Sequence, residues 1–159
     1  MLVAVISDTH LVEPTGWFRR VFEEHLAQAD VLIHCGDVTG PAMQVFLEAS
    51  HPAFHGVRGN MCACGVNGGP PERLSLDLGG FRVGVAHGWG PRPEVPLRVA
   101  EAFGSGYDVV CFGHTHRFTW LRHGGIWLLN PGPLQEGEGS LALLTLEPGC
   151  APEVRQVTV

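Results

Sequence analysis

Seven residues able to hold transition metals stand in this chain, each at or just past the end of an apolar run. They are Asp8 and His10 after residues 2–7, Asp37 after 30–35, Asn60 after 53–57, His87 after 81–86, and His114 and His116 after 107–112. Imidazole is the commonest protein ligand for such metals. On an extended backbone residues i and i+2 point the same way, so Gly113-His114-Thr115-His116 would present two imidazoles together at a strand end. Each residue alone has an ordinary reading: a turn or cap for Asp8, Asp37 and Asn60, a buried hydrogen-bonded ring for His87, a surface turn for the His-x-His pair. Recurrence at five strand ends makes coincidence a poor account. A mixed carboxylate, amide and imidazole set suits Mn, Fe or Zn better than Mg or Ca, which favour oxygen shells. Seven donors exceed what one metal with an open position needs and suit two metals sharing a carboxylate. A pair of metals about 3.5–4 Å apart can generate hydroxide at neutral pH and stabilise both oxygens of an in-line displacement at phosphorus.

The elements that must position these donors follow from the hydrophobic pattern. Residues 2–7, 30–35 and 53–57 are near-continuous apolar runs, as expected of strands buried on both faces. Between them, 17–29 shows helical spacing with Phe18, Val21, Phe22, His25, Leu26 and Ala29 inward, and 41–49 is a short helix opened by Pro41. Strand, helix, strand, helix, strand predicts a parallel α/β start, with ligands at the carboxyl ends of the strands. Residues 61–71 form a Gly/Pro-rich loop that carries a Cys62-x-Cys64 pair, too few sulfurs for a structural zinc site. Two hairpins are expected, one from 73–78 and 81–86 about Gly79-Gly80, the other from 118–122 and 126–129 about Gly124-Gly125. A helix over 93–103 and closing strands at 141–146 and 154–159 complete a mixed fold. With no linker or internal repeat, residues 1–159 read as one domain.

Composition narrows the function. The chain has 159 residues, 45% hydrophobic and 16% charged, with a formal net charge of -6 and only 10 Lys and Arg. No basic stripe is present, so nucleic acid is expected only as a phosphodiester substrate. No apolar run reaches membrane-spanning length. The first strand begins at Leu2, which leaves no room for a signal peptide, and the 5 cysteines are an odd number that fits reduced thiols. Both point to the cytoplasm.

The ordered motifs Asp8-x-His10, Gly36-Asp37, Gly59-Asn60, His87 and Gly113-His114-Thr115-His116 resemble those of the calcineurin-like metallophosphoesterases. The length, the Gly-His-Thr-His form and the trailing Asn130-Pro131-Gly132 resemble its small YfcE-type phosphodiesterase branch. The resemblance implies an α/β (α+β) fold of four layers, αββα, with two facing mixed β-sheets flanked by helices. It implies that Asp8, His10 and His116 hold one metal, that Asn60, His87 and His114 hold the other, and that Asp37 bridges them. It also implies hydrolysis of phosphodiesters, with phosphomonoesters as a further class, by metal-bound hydroxide. The metals would be two divalent transition ions, Mn foremost with Fe, Zn and Ni as alternatives. The partner would be a small phosphate ester, and a homo-oligomer is allowed. Thr115 would orient its loop, and Asn130-Pro131-Gly132 would back the site as a structural turn.

Two departures stand out. Many members carry a general-acid His after Gly-Asn, where this chain has Met61, and the small branch commonly has Asp where this chain has Cys62. Asn60 and Arg58 are candidate substrate contacts, Arg58 alternatively a salt-bridging surface residue. His25, His34, His51, His55 and His123 match no motif position and read as ordinary residues. The competing function is a non-catalytic scaffold on the same fold, resembling the retromer subunit. A scaffold is free to lose ligands, and this chain keeps all seven.

Overall fold

The computed structural model describes residues 1–62 and 69–159. Strand β1 (Leu2–Ile6) is apolar throughout because both of its faces are covered. Val3 and Val5 face an apolar layer between two sheets, while Ala4 and Ile6 face helices. The same two-sided burial explains β2 (Val31–His34), all of whose residues are buried. Helix α1 (Gly16–Val21) is capped by Thr15, whose hydroxyl accepts from Phe18 N–H at 3.1 Å. Helix α2 (Pro41–Ser50) opens on Pro41, and the edge strand β3 (Phe54–Gly56) follows it.

The long helix expected over 17–29 is different in its second half. Phe22–Leu26 is π-helical, with Ala27 N–H donating to the Phe22 carbonyl at 2.8 Å. Bonding from i to i+5 turns the chain less per residue than an α-helix does. That swings His25 off the buried stripe, which keeps Phe22, Leu26 and Ala29.

Both expected hairpins are present. β4 (Arg73–Leu78) pairs antiparallel with β5 (Phe81–Ala86), and β7 (Thr119–His123) with β8 (Ile126–Asn130). The Gly-Gly turns have positive φ at both residues, as tight two-residue hairpin turns require. Between the hairpins lie a 3₁₀ turn at Arg92–Glu94, α3 (Val95–Phe103) and β6 (Val109–Cys111). β9 (Ser140–Thr145) and β10 (Glu153–Thr158) close the chain.

The strands form two mixed five-stranded sheets, ordered β10-β9-β1-β2-β3 and β4-β5-β6-β8-β7. In the first, β1, β2 and β3 run parallel; in the second, β5, β6 and β8 do. Three apolar layers hold the stack together. One lies between the sheets, one under α1 and α2, and one under α3, which gives four layers, αββα. Among the described residues no helix is long and apolar enough to cross a membrane. Cys35, Cys62, Cys111 and Cys150 are free thiols. Cys64, half of the Cys62-x-Cys64 pair, lies outside the described residues.

Candidate metal centre

All seven sequence-predicted donors meet at one end of the sandwich, on loops that leave parallel strands of both sheets. Asp8 and His10 follow β1, Asp37 follows β2, Asn60 follows β3, His87 follows β5, and His114 and His116 follow β6. Among the described residues, the non-glycine residues with positive φ are Asp8, His10, Asp37, His114 and His116, at 49–67°. Each is a sequence-predicted donor. Such a conformation costs about 1–3 kcal/mol per residue and persists only where surrounding structure enforces it. Backbone bonds enforce it here. Asp8 N–H donates to the Gly36 carbonyl at 3.0 Å, His10 N–H to the Asp37 carbonyl at 3.0 Å, and Gly113 N–H to the His87 carbonyl at 3.0 Å.

The left-handed backbone also changes the reading of the His-x-His pair. β6 ends at Cys111, and neither His114 nor His116 is extended. The two rings therefore diverge into different clusters instead of pointing together. In the first cluster His116 Nε2 lies 3.3 Å from Asp8 Oδ1 and 3.5 Å from His10 Nε2. In the second, His114 Nδ1 lies 3.3 Å from His87 Nε2 and 3.1 Å from Asn60 Oδ1, and His87 Nε2 is 3.0 Å from the same amide oxygen.

Asp37 stands between the clusters. Its Oδ1 accepts from Met61 N–H at 2.8 Å. Its Oδ2 faces His10 Nε2 at 3.8 Å and His87 Nε2 at 3.4 Å. Asp8 also reaches toward both, since Oδ1 is 4.0 Å from His87 Nε2, while Oδ2 is held by the Ser7 hydroxyl at 2.6 Å. Two three-donor sets result, Asp8 with His10 and His116, and Asp8 with Asp37 and His87; within each the donor atoms lie within 4.8 Å of one another.

The chemistry of these donors fits divalent cations. His87 Nδ1–H donates to the Cys35 carbonyl at 2.8 Å, and His114 Nε2–H to the Gly90 carbonyl at 3.2 Å. Those partners assign the tautomers, so the ring nitrogens that face each other both present lone pairs, with the Asn60 oxygen beside them. Asp8 and Asp37 are buried carboxylates whose ion-pair partners, among the described residues, are imidazoles. Buried carboxylates of this kind suit a bound cation. Burial lowers the His116 pKa, which favours the neutral, ligating ring. Glycines let the shells close. A Cβ on Gly59 would overlap Asp37 Oδ1, and one on Gly113 would overlap the Ser7 hydroxyl.

One supporting residue, His34, escaped the motif reading. His34 is fully buried; its Nδ1 accepts from Gly36 N–H at 3.1 Å and its Nε2–H donates to Thr9 Oγ1 at 3.1 Å. It thereby ties the Asp8-Thr9-His10 loop to the Gly36-Asp37 loop. Burial, then the neighbouring His87 and His10, push its pKa down to about 3, so the ring stays neutral. A polar residue in a strand covered on both faces must find partners, and that was the available signal. Asn130 Nδ2 donates to the Gly113 carbonyl at 2.7 Å and to Thr115 Oγ1 at 3.0 Å, while its Oδ1 accepts from Gly132 N–H at 2.9 Å. Asn130-Pro131-Gly132 is thus the backing turn, and Thr115 is held inside its own loop. Beside Asn60 and His87 opens a cleft of about 330 Å³, walled by Arg58, Glu72, Arg73 and Trp89. There Arg58 forms an ion pair with Glu72.

Comparison with known proteins agrees with this geometry. A protein of Bacillus subtilis (strain 168), named probable metallophosphoesterase YsnB, is 33% identical over 156 residues, which span 92% of this chain and 85% of that one. Vps29 of Entamoeba histolytica in its zinc complex superposes with a TM-score of 0.66 at 24% identity, covering 99% of each chain. An archaeal phosphodiesterase superposes with a TM-score of 0.73 at 20% identity, covering 100% of each. At these identities the two structures speak for the fold alone. The family model for the calcineurin-like phosphoesterase superfamily domain matches residues 1–149, and with a third of its residues shared with YsnB across most of both chains, this chain belongs to that superfamily.

Proposed function

We propose that this chain is a two-metal phosphoesterase that hydrolyses phosphodiesters, with phosphomonoesters as a further class. The observation that carries the reading is the pair of donor clusters with Asp37 Oδ2 between them. Asp8, His10 and His116 would hold one ion, Asn60, His87 and His114 the other, and Asp37 would bridge. Two bound divalent cations would supply Lewis acidity toward phosphoryl oxygens and a water of lowered pKa. Mn is the first choice, with Fe, Zn and Ni as alternatives; membership of the calcineurin-like phosphoesterase superfamily and the likeness to a probable metallophosphoesterase support the metal dependence and the reaction.

The protein's own groups have defined tasks. The carbonyls of Cys35 and Gly90 hold His87 and His114 in the ligating tautomer. Asp8 and Asp37 would supply the carboxylates that retain two divalent ions. Met61, where many members have a general-acid His, gives the bridging carboxylate its backbone N–H and leaves an exposed thioether that cannot donate a proton.

A second reading, a non-catalytic scaffold, draws on the same likeness to Vps29. One experiment separates the two: chelation, then add-back of Mn²⁺, Ni²⁺ or Zn²⁺ with assays on mono- and diesters. Hydrolysis that vanishes on chelation and returns at two equivalents of metal supports the enzyme. Stoichiometric metal binding with no turnover on any ester supports the scaffold.

A further inference from the structure

The cleft shares Asn60 and His87 with the donors, and its outer wall is unusual for an exposed surface. Trp89 stands there 37% exposed. Trp120 and Trp127, by contrast, stack on each other within the layer between the sheets, and Trp17 packs under the helices. An indole at a cleft wall, partly exposed and in cation–π contact with Arg73, is a surface on which a planar group can stack.

Trp89 is also held rigidly relative to the donors. It lies between Gly88 and Gly90, whose φ values are +96° and +88°, in the left-handed region where a side chain is strained. His87, two residues before, bonds through its ring to the Cys35 carbonyl and through its own carbonyl to Gly113 N–H. The Gly90 carbonyl, one residue after, accepts from His114 Nε2–H at 3.2 Å. The Arg73 guanidinium packs over one face of the indole, 4.9 Å from its centroid. Two donor histidines and a cation–π contact therefore set where the ring stands.

We propose that this cleft is the subsite for one ester arm of the substrate and that Trp89 is a specificity-determining residue that stacks a planar aromatic ring, of the nucleobase class. This deepens the phosphoesterase reading and rests on it. The cleft shares Asn60 and His87 with the second donor cluster, so a phosphate held at the donors directs one substituent into it. Its volume, about 330 Å³, falls at the small end of the range for ligand pockets, which suits a single nucleoside-sized arm. A phosphodiester with one nucleoside arm fits both features, an anion at the donors and an aromatic wall at Trp89.

The test is calorimetric titration of the full-length Mn²⁺-loaded protein with adenosine 5′-monophosphate and, separately, ribose 5-phosphate. The two ligands carry the same phosphate and sugar and differ by the base. Adenosine 5′-monophosphate is expected to bind roughly ten-fold more tightly, a factor that one base–aromatic stack supplies. Trp89→Leu should remove that difference while leaving metal stoichiometry and the ribose 5-phosphate affinity in place, and Trp89→Tyr should restore most of it. Equal affinities in the wild type, no binding of either ligand, or a preference that survives Trp89→Leu would overturn the subsite. Diester hydrolysis by the same preparation is measured in parallel. Base preference without hydrolysis upholds the subsite and refutes the phosphoesterase reading, whereas hydrolysis without base preference refutes the subsite alone.

Discussion

At the scale of single residues, Asp37 carries the most consequence. Its Oδ1 is occupied by Met61 N–H, and its Oδ2 is the oxygen that faces both His10 and His87. Asp37→Ala is expected to bring metal content from two equivalents to none and to abolish turnover, read by elemental analysis and a diester assay; two retained equivalents would refute the bridge. His10→Ala and His87→Ala should each lose a different ion, and loss of the same ion from both would refute the partition. Met61 sets a further expectation. General acid catalysis contributes typically about 10²–10⁴-fold. Without it, aryl diesters should turn over far faster than alkyl diesters of similar size, and equal rates would show that another group protonates the leaving oxygen. The donors were legible because residue type and strand-end position are written in the chain. Their left-handed φ values were not, because those come from bonds to Gly36, Asp37 and His87, remote in sequence from Asp8, His10 and Gly113. His34 was passed over as ordinary for the same reason: its partners, Thr9 and Gly36, come from two different loops.

At the scale of elements, the strands were readable where burial is two-sided and the hairpins where Gly-Gly pairs demand positive φ. The order β5-β6-β8-β7 was not, since nothing local to β8 says that it pairs parallel with β6. The π-helical turn at Phe22–Leu26 leaves no local signature either, because the same side chains satisfy an α-helical stripe. The element that most directly shapes the site is the turn after β8. Asn130 is fully buried; its Nδ2 holds the Gly113–Thr115 segment, and its Oδ1 accepts from Gly132 N–H in its own turn. Asn130→Ala would leave the Gly132 N–H without its partner, at a cost of about 1–3 kcal/mol, and would remove one of the two donors to the Gly113 carbonyl, which keeps Thr115 N–H. A lower urea midpoint is expected together with a 10–100-fold weaker metal affinity, the usual size of a lost outer-shell contact. A variant that loses stability but keeps wild-type affinity would show that the turn supports the fold alone.

At the scale of the whole molecule, the two sheets meet through an apolar layer, and the donor clusters close one end of it. Each cluster takes donors from both sheets: Asp8 and His10 from the first with His116 from the second, and Asn60 from the first with His87 and His114 from the second. Bound metal would therefore clamp the sheets, and ligand free at one hundred times its dissociation constant would add about 2.7 kcal/mol to stability. Removing it exposes a pH dependence built into the core. Folded His34 has its pKa pushed down to about 3, whereas in the unfolded chain it returns to near 6.5. Above pH 6.5 the ring is neutral in both states, and its contribution to stability is intact. Below that, the unfolded chain takes up a proton that the folded chain refuses, so stability falls as pH falls, by up to about 1.4 kcal/mol per pH unit, until the folded pKa is reached. Urea midpoints of the chelated protein, measured at steps from pH 7 to pH 4, should decline along that window. His34→Asn, which cannot titrate and keeps an acceptor for Gly36 N–H, should start lower at pH 7 and decline by one proton less. Parallel declines for the two proteins would assign the acid sensitivity to the carboxylates at the metal centre instead of to the histidine behind it.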